Sequence, residues 1–99
     1  MENIDFLHDA ILEQICMNWA ESAVSITCIP NEFYKFKKTK VTFLNVKNII
    51  ISHFNVWGGS SFINGIAFEI NCAIIEMQSG DKIKIEYLEP LIKLTEVID

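Results

Sequence analysis

His8 and Asp9 stand side by side near the start of this 99-residue chain, and an imidazole beside a carboxylate is half of a nucleophilic triad. Ser60 and Cys72 are the hydroxyl and thiol that would complete it. The residues around them argue otherwise. Trp57-Gly58-Gly59-Ser60-Ser61 lacks the second glycine of the Gly-x-Ser-x-Gly elbow, and adjacent strand residues send their side chains to opposite sides. A capping or turn role for His8-Asp9 is the simpler expectation. Gly58-Gly59 has the composition of a phosphate cradle, but no lysine or arginine follows within the loop. Glu86 and Glu89 are expected in solvent, where an unperturbed glutamate is a poor acid at neutral pH. Cys16, Cys28 and Cys72 lack CxxC spacing, and His8 and His53 stand apart from any close cysteine pair, so no zinc site is expected. The thiols read instead as small buried hydrophobes. The expectation is a protein that is not an enzyme and has no catalytic residue, metal or cofactor.

The charge balance bears on partners. The chain carries thirteen acids against eight lysines, a net charge of −5, and no arginine. Arginine supplies the planar fork that reads phosphates and base edges, so direct nucleic-acid binding is not expected. Lys35, Lys37, Lys38 and Lys40 lie beside Phe33, Tyr34 and Phe36. They read as an edge strand guarded by lysines, with a single-strand stacking platform as the alternative. The acids cluster near the two ends of the chain, and an acidic surface attracts and steers a basic partner. Hydrophobic residues reach 51%, enough for a core, and residues 1–99 are expected to form one domain. No apolar run approaches the roughly 18 residues of a membrane span. The start of the chain lacks a basic segment followed by an apolar one, so cytoplasmic placement is the expectation.

Positioning these residues falls to short β-patterned segments. From Ala10 to Trp19, alternation of Ile11, Ile15, Met17 and Trp19 with Gln14 and Asn18 reads as a strand. A helix from Ile4 to Met17 is the rival reading. Asn18 to Ser22 reads as a turn, and Ala23 to Ile29 as the second arm of a hairpin. Thr39 to Val46 is a further strand. Around Asn45 to Asn48 the apolar parity shifts, the mark of a bulge or a break, and Asn48 to Phe54 continues extended. Trp57 to Gly65 reads as a loop, with one helical turn capped by Ser60 or Ser61 as an option. Trp57 in that loop either caps the core or stands as an exposed anchor, with capping the preferred reading. Ile66 to Ile75 reads as a central strand, and the segment after Pro90 is open between strand and helix.

The last hairpin allows a sharper inference. Ala73, Ile75 and Met77 and then Ile83, Ile85 and Tyr87 are apolar at odd positions, while Glu76, Lys82, Lys84 and Glu86 point the other way. Residues opposite each other share a face, so the two sets meet only across a loop with an odd number of residues. The loop Gln78-Ser79-Gly80, with Gly80 left-handed, satisfies this and sets Glu76 opposite Lys82. The fold expected is mainly β, with α+β as the alternative. It is a single antiparallel, curled sheet of about six strands, with at most one or two short helices.

Three marks stand in order along the chain: His8-Asp9-Ala10 with Leu12, Ile15 and Trp19; Trp57-Gly58-x-Ser60 with Ile63-Asn64; and Glu76-Met77-Gln78-Ser79-Gly80-Asp81. As an ordered set they resemble a family of small bacterial immunity proteins of polymorphic toxin and contact-dependent growth inhibition systems. The resemblance spans roughly Leu7 to Tyr87. It implies a non-enzymatic protein that binds a cognate C-terminal toxin domain, many of which are nucleases and therefore basic, as a monomer or weak dimer. The motif residues His8, Asp9, Trp19, Trp57, Gly58, Ser60, Asn64, Glu76, Gln78, Gly80 and Asp81 would then mainly hold the fold. Exposed acids and one aromatic, Asp5, Asp9, Glu13, Glu21, Trp57, Glu86 and Glu89, would be the partner contacts. Two rivals stand beside this reading: an adaptor module without a toxin partner, and a small enzyme using His8, Asp9 or His53.

Overall fold

A computed structural model describes residues 7–30, 38–89 and 92–96. Its strands are β1 (Ile11–Asn18), β2 (Ala23–Ile29), β3 (Thr39–Phe43), β4 (Val46–Ile51), β5 (Ile63–Glu69), β6 (Cys72–Met77), β7 (Lys82–Tyr87) and β8 (Ile92–Glu96). They form two antiparallel four-stranded sheets, ordered β1-β2-β3-β8 and β4-β7-β6-β5. No helix occurs among the described residues, so none is long and apolar enough to cross a membrane. Of the lysine-rich stretch, Phe33 to Lys37 lie outside them, while Lys40 falls in β3, which pairs with β2 and β8 and so is not the edge strand expected.

Alternation builds these strands. β2 turns Val24, Ile26 and Cys28 inward and β3 turns Val41 and Phe43 inward. The same parity in β6 and β7 buries Ala73, Ile75 and Met77 against Ile83, Ile85 and Tyr87. Side chains from both sheets merge into one apolar cluster, with the rings of Phe43 and Tyr87 stacked at 6.5 Å. Each such side chain contributes about 1.5–3 kcal/mol on leaving water, which a lone sheet face could not collect. The N-terminal segment is strand from Ile11 rather than helix, because β2 offers it a ladder from Ile11↔Ile29 to Asn18↔Ala23.

The mainly β, antiparallel expectation holds, but the single sheet of about six strands becomes eight strands in two sheets. The physical cause is a corner. Only Leu44 and Asn45 separate β3 from β4, and the ladder Phe43↔Ile92 is followed closely by Val46↔Tyr87. Between them the Leu88 amide donates to the Asn45 carbonyl at 3.0 Å. One long two-stranded ribbon, β3–β4 against β7–β8, therefore bends from one sheet into the other. Asn45 makes the bend with φ 57°, and the register slips between Val46 and Asn48. The parity shift at Asn45 to Asn48 is thus both a bulge and a break. On the far side the sheets touch through the bridge Ile11↔Phe62. Backbone bonds from Asp9 to Ile63, from Ile63 to Ala10 and from Leu12 to Ser61 flank that bridge, but no ladder between β1 and β5 develops among the described residues, so the sheets do not close into a barrel.

Two other expectations are corrected. Ile66 to Ile75 is not one strand: Asn71, at φ 59°, turns the chain between Glu69 and Cys72, leaving β6 central and β5 at the edge. Asparagine tolerates this left-handed conformation, and the apolar residues on both sides of it mask the turn. Ser60 and Ser61 cap no helical turn; the chain there is extended and enters β5 at Ile63.

Candidate functional site

The turn between β6 and β7 is the centre of the most elaborate corner of the molecule. Its loop holds three residues, Gln78-Ser79-Gly80: the Met77 amide donates to the Asp81 carbonyl at 2.9 Å and the Gly80 amide to the Met77 carbonyl at 3.0 Å. Gly80 is left-handed at φ 90°, and Glu76 faces Lys82 with its carboxylate 3.9 Å from the ammonium. The pair is exposed and contributes ~0.5 kcal/mol.

Asp81 is buried directly behind this loop. Its carboxylate accepts the amides of Phe54 at 2.5 Å and Asn55 at 3.1 Å and the Ser79 hydroxyl at 2.7 Å. Burial alone pushes this carboxyl up. The Phe54 amide, the Ser79 hydroxyl, the Asn55 amide and nearby His53 outweigh burial and hold it below its ordinary value. The segment after β4 is therefore fastened to the hairpin by a buried anion. Two contacts complete the fastening. The Trp57 amide donates to the Ser79 carbonyl at 2.9 Å, and the indole lies over Gly80, where a Cβ would approach a ring atom to 3.0 Å. Glycine at position 80 answers both the left-handed backbone and the ring above it.

The N-terminal mark joins from the other side. The Gln78 side-chain amide donates to Asp9 at 3.1 Å, and the Gln78 backbone amide donates to the Phe62 carbonyl at 2.9 Å. Asp9, itself left-handed at φ 64°, pairs its second oxygen with His8 Nδ1 at 3.0 Å. The two side chains thus meet rather than diverge, because residues 8 and 9 form a turn ahead of β1 instead of part of a strand. Ser60 accepts the Phe62 amide at 3.2 Å, and Asn64 is the bulge residue between Ile63↔Met77 and Gly65↔Glu76. Gly58 is left-handed at φ 97° and donates to Asn55. The three marks, up to 69 residues apart, come together here, except for Trp19, which lies at the other end of β1.

Trp57 does not close the core. It is 78% exposed, beside Phe54 at 80%, Val56 at 70% and Phe62 at 45%. The acids expected to share a contact surface are not brought together. Asp9 is on this corner, and Glu13 pairs with Lys38 at 3.0 Å. Glu21 is in the β1–β2 turn, Glu86 accepts the Asn48 side chain at 2.7 Å, and Glu89 follows the far end of β7; Asp5 lies outside the described residues. Phe54, Val56 and Phe62 are the residues that sequence reasoning passed over, and Ser79, read there only as part of the turn, is also an anchor of Asp81. Their signal is present in Phe54-x-Val56-Trp57, large apolar residues in a segment broken by Asn55, Gly58 and Gly59.

Beneath the corner a cleft of about 300 Å³ runs between Leu12 and Ile15 of β1 and Ile51 and Ile83, with His53, Ser60 and Asp81 in its lining. These are triad residue types, but their hydrogen bonds lead elsewhere. Asp81 is taken up by backbone amides and Ser79, and among the described residues no hydrogen bond joins His53 to Ser60 or Asp81. No group of three or more His, Cys, Asp or Glu among the described residues is placed to hold a metal. Compared with known protein families, characterised sequences and solved structures, the chain gives no match.

Proposed function

We propose that this protein is a bacterial immunity protein, acting in the cytoplasm of the cell that makes it by binding and neutralising a cognate, basic, nuclease-type toxin domain. The observation that supports this best is the convergence of the three sequence marks on one corner. Residues that carry the resemblance hold one another through Asp9–Gln78, Trp57–Ser79 and Trp57–Gly80. The marks therefore act as a unit. The acidic, arginine-free composition fits a basic partner, whose encounter it accelerates electrostatically.

The test is co-expression with the product of the adjacent gene, then calorimetric titration at two salt concentrations. The expected result is a one-to-one complex that weakens as salt screens the charges. Absence of binding, or growth protection that persists when the complex is prevented from forming, overturns the proposal.

A further inference from the structure

The exposed apolar surface of this protein is unevenly distributed. Ile50 and Ile51 are half exposed at the end of β4, Phe68 and Ile70 lie by the β5–β6 turn, Leu88 follows β7, and Trp19 stands 87% exposed with only Met17 near it in sequence. Phe54, Val56, Trp57 and Phe62 instead share one corner, mounted on the same hairpin loop through Asp81, Ser79 and Gln78. Aromatic side chains offer 150–250 Å² each, so the three aromatics at these exposures, with Val56 added, present on the order of 500 Å² of apolar area. A standard interface takes roughly 800 Å² from each partner, so this is the size of an interface centre with a polar rim still to add.

The mounting is as informative as the area. Asn55, Gly58 and Gly80 all take left-handed backbone, and a buried carboxylate is committed to two amides of the loop. A loop with no task needs no such scaffold, whereas a binding loop fixed beforehand loses less conformational entropy on docking. The rim carries Asp9, its carboxylate half exposed.

Charge decides the occupant. A second copy would bring the same −5, and nucleic acid or an anionic membrane would also be repelled at long range. A basic protein is attracted. We propose that the Phe54–Val56–Trp57–Phe62 corner is the docking face for a basic protein partner, with Trp57 and Phe54 as its anchors. This rests on the reading that the partner is the toxin domain encoded beside this chain.

The deciding experiment titrates that toxin domain, purified, against wild type, Trp57→Ala, Phe54→Ala and Ile70→Ser, with circular dichroism and melting curves for each variant. Ile70 is 92% exposed at the opposite end of β6 and serves as the control. Trp57→Ala and Phe54→Ala are each expected to weaken binding by about 30-fold or more, the scale of an interface hot spot, with Ile70→Ser unchanged. Hydrogen exchange on the wild-type complex supplies a readout independent of any variant's folding, and residues 54–62 and 78–80 are expected to gain protection. Wild-type binding that survives both alanine variants, or protection confined to other segments, overturns the docking face and leaves the functional reading standing. No wild-type binding overturns that reading, and the assigned partner with it. A concentration-dependent dimer of the wild type that Trp57→Ala abolishes overturns the choice of occupant in favour of a second copy.

Discussion

Asp81 shows what one residue contributes here. Its side chain is chemically suited to water, yet it lies buried because two amides of a loop 26 and 27 residues away and one neighbouring hydroxyl replace its hydration. Folding lowers the carboxyl below its ordinary 3.8. The group's contribution is therefore complete above that unfolded value and is lost as pH falls through the lower folded one. Asp81→Asn should lower the melting temperature by several degrees at neutral pH and flatten the acid limb of stability, read as urea midpoints between pH 2 and 6. An acid limb as steep as wild type would show that other carboxylates set it. Gly80→Ala tests the second half of the fastening. The left-handed backbone and the indole 3.0 Å away both resist a methyl, at a cost of about 1–3 kcal/mol. The same variant should change the fluorescence of Trp57, measured in a Trp19→Phe background, because the ring must move.

At the scale of elements, the β6–β7 hairpin was legible from the chain alone. Period-two alternation on both arms leaves one loop parity that puts six apolar residues on one face, and Gly80 supplies the left-handed step. Deleting Ser79 should therefore be ruinous rather than mild. A two-residue loop would turn Lys82, Lys84 and Glu86 toward the core, and a two-dimensional NMR spectrum should show an unfolded chain. Glu76→Ala, which removes only the exposed ion pair, should leave the urea midpoint nearly unchanged. The corner at Asn45 was half legible: the parity shift marks a break, but parity says nothing of which sheet a strand joins. The Asn71 turn was hidden, since Ile70 and Cys72 continue the apolar run and only the observed φ of 59° separates the two strands.

At the scale of the whole molecule, two sheets share one core, and that core decides which groups can react. Cys28 is fully buried and Cys72 nearly so, while Cys16 on edge strand β1 is exposed. Burial, with a smaller effect of the Glu13 charge, pushes the Cys28 thiol up to about 11, which further suppresses its thiolate. A maleimide at neutral pH should add one label to the native protein and three after unfolding, counted by intact mass. Two labels in the native state would mean that the seam beside β1 opens far more readily than its hydrogen bonds imply. Strand pattern, hairpin register and the acidic, arginine-free charge balance follow from the sequence alone, because each depends on local spacing or on counting. Only the tertiary structure decided that Asp81 is an anchor, that Trp57 faces water, and that His8-Asp9 closes a turn against Gln78. Those outcomes depend on backbone amides and carbonyls of residues 54, 55, 62 and 79 and on the Asp9 carboxylate, brought together from distant parts of the chain. A side chain's type cannot announce partners of that kind.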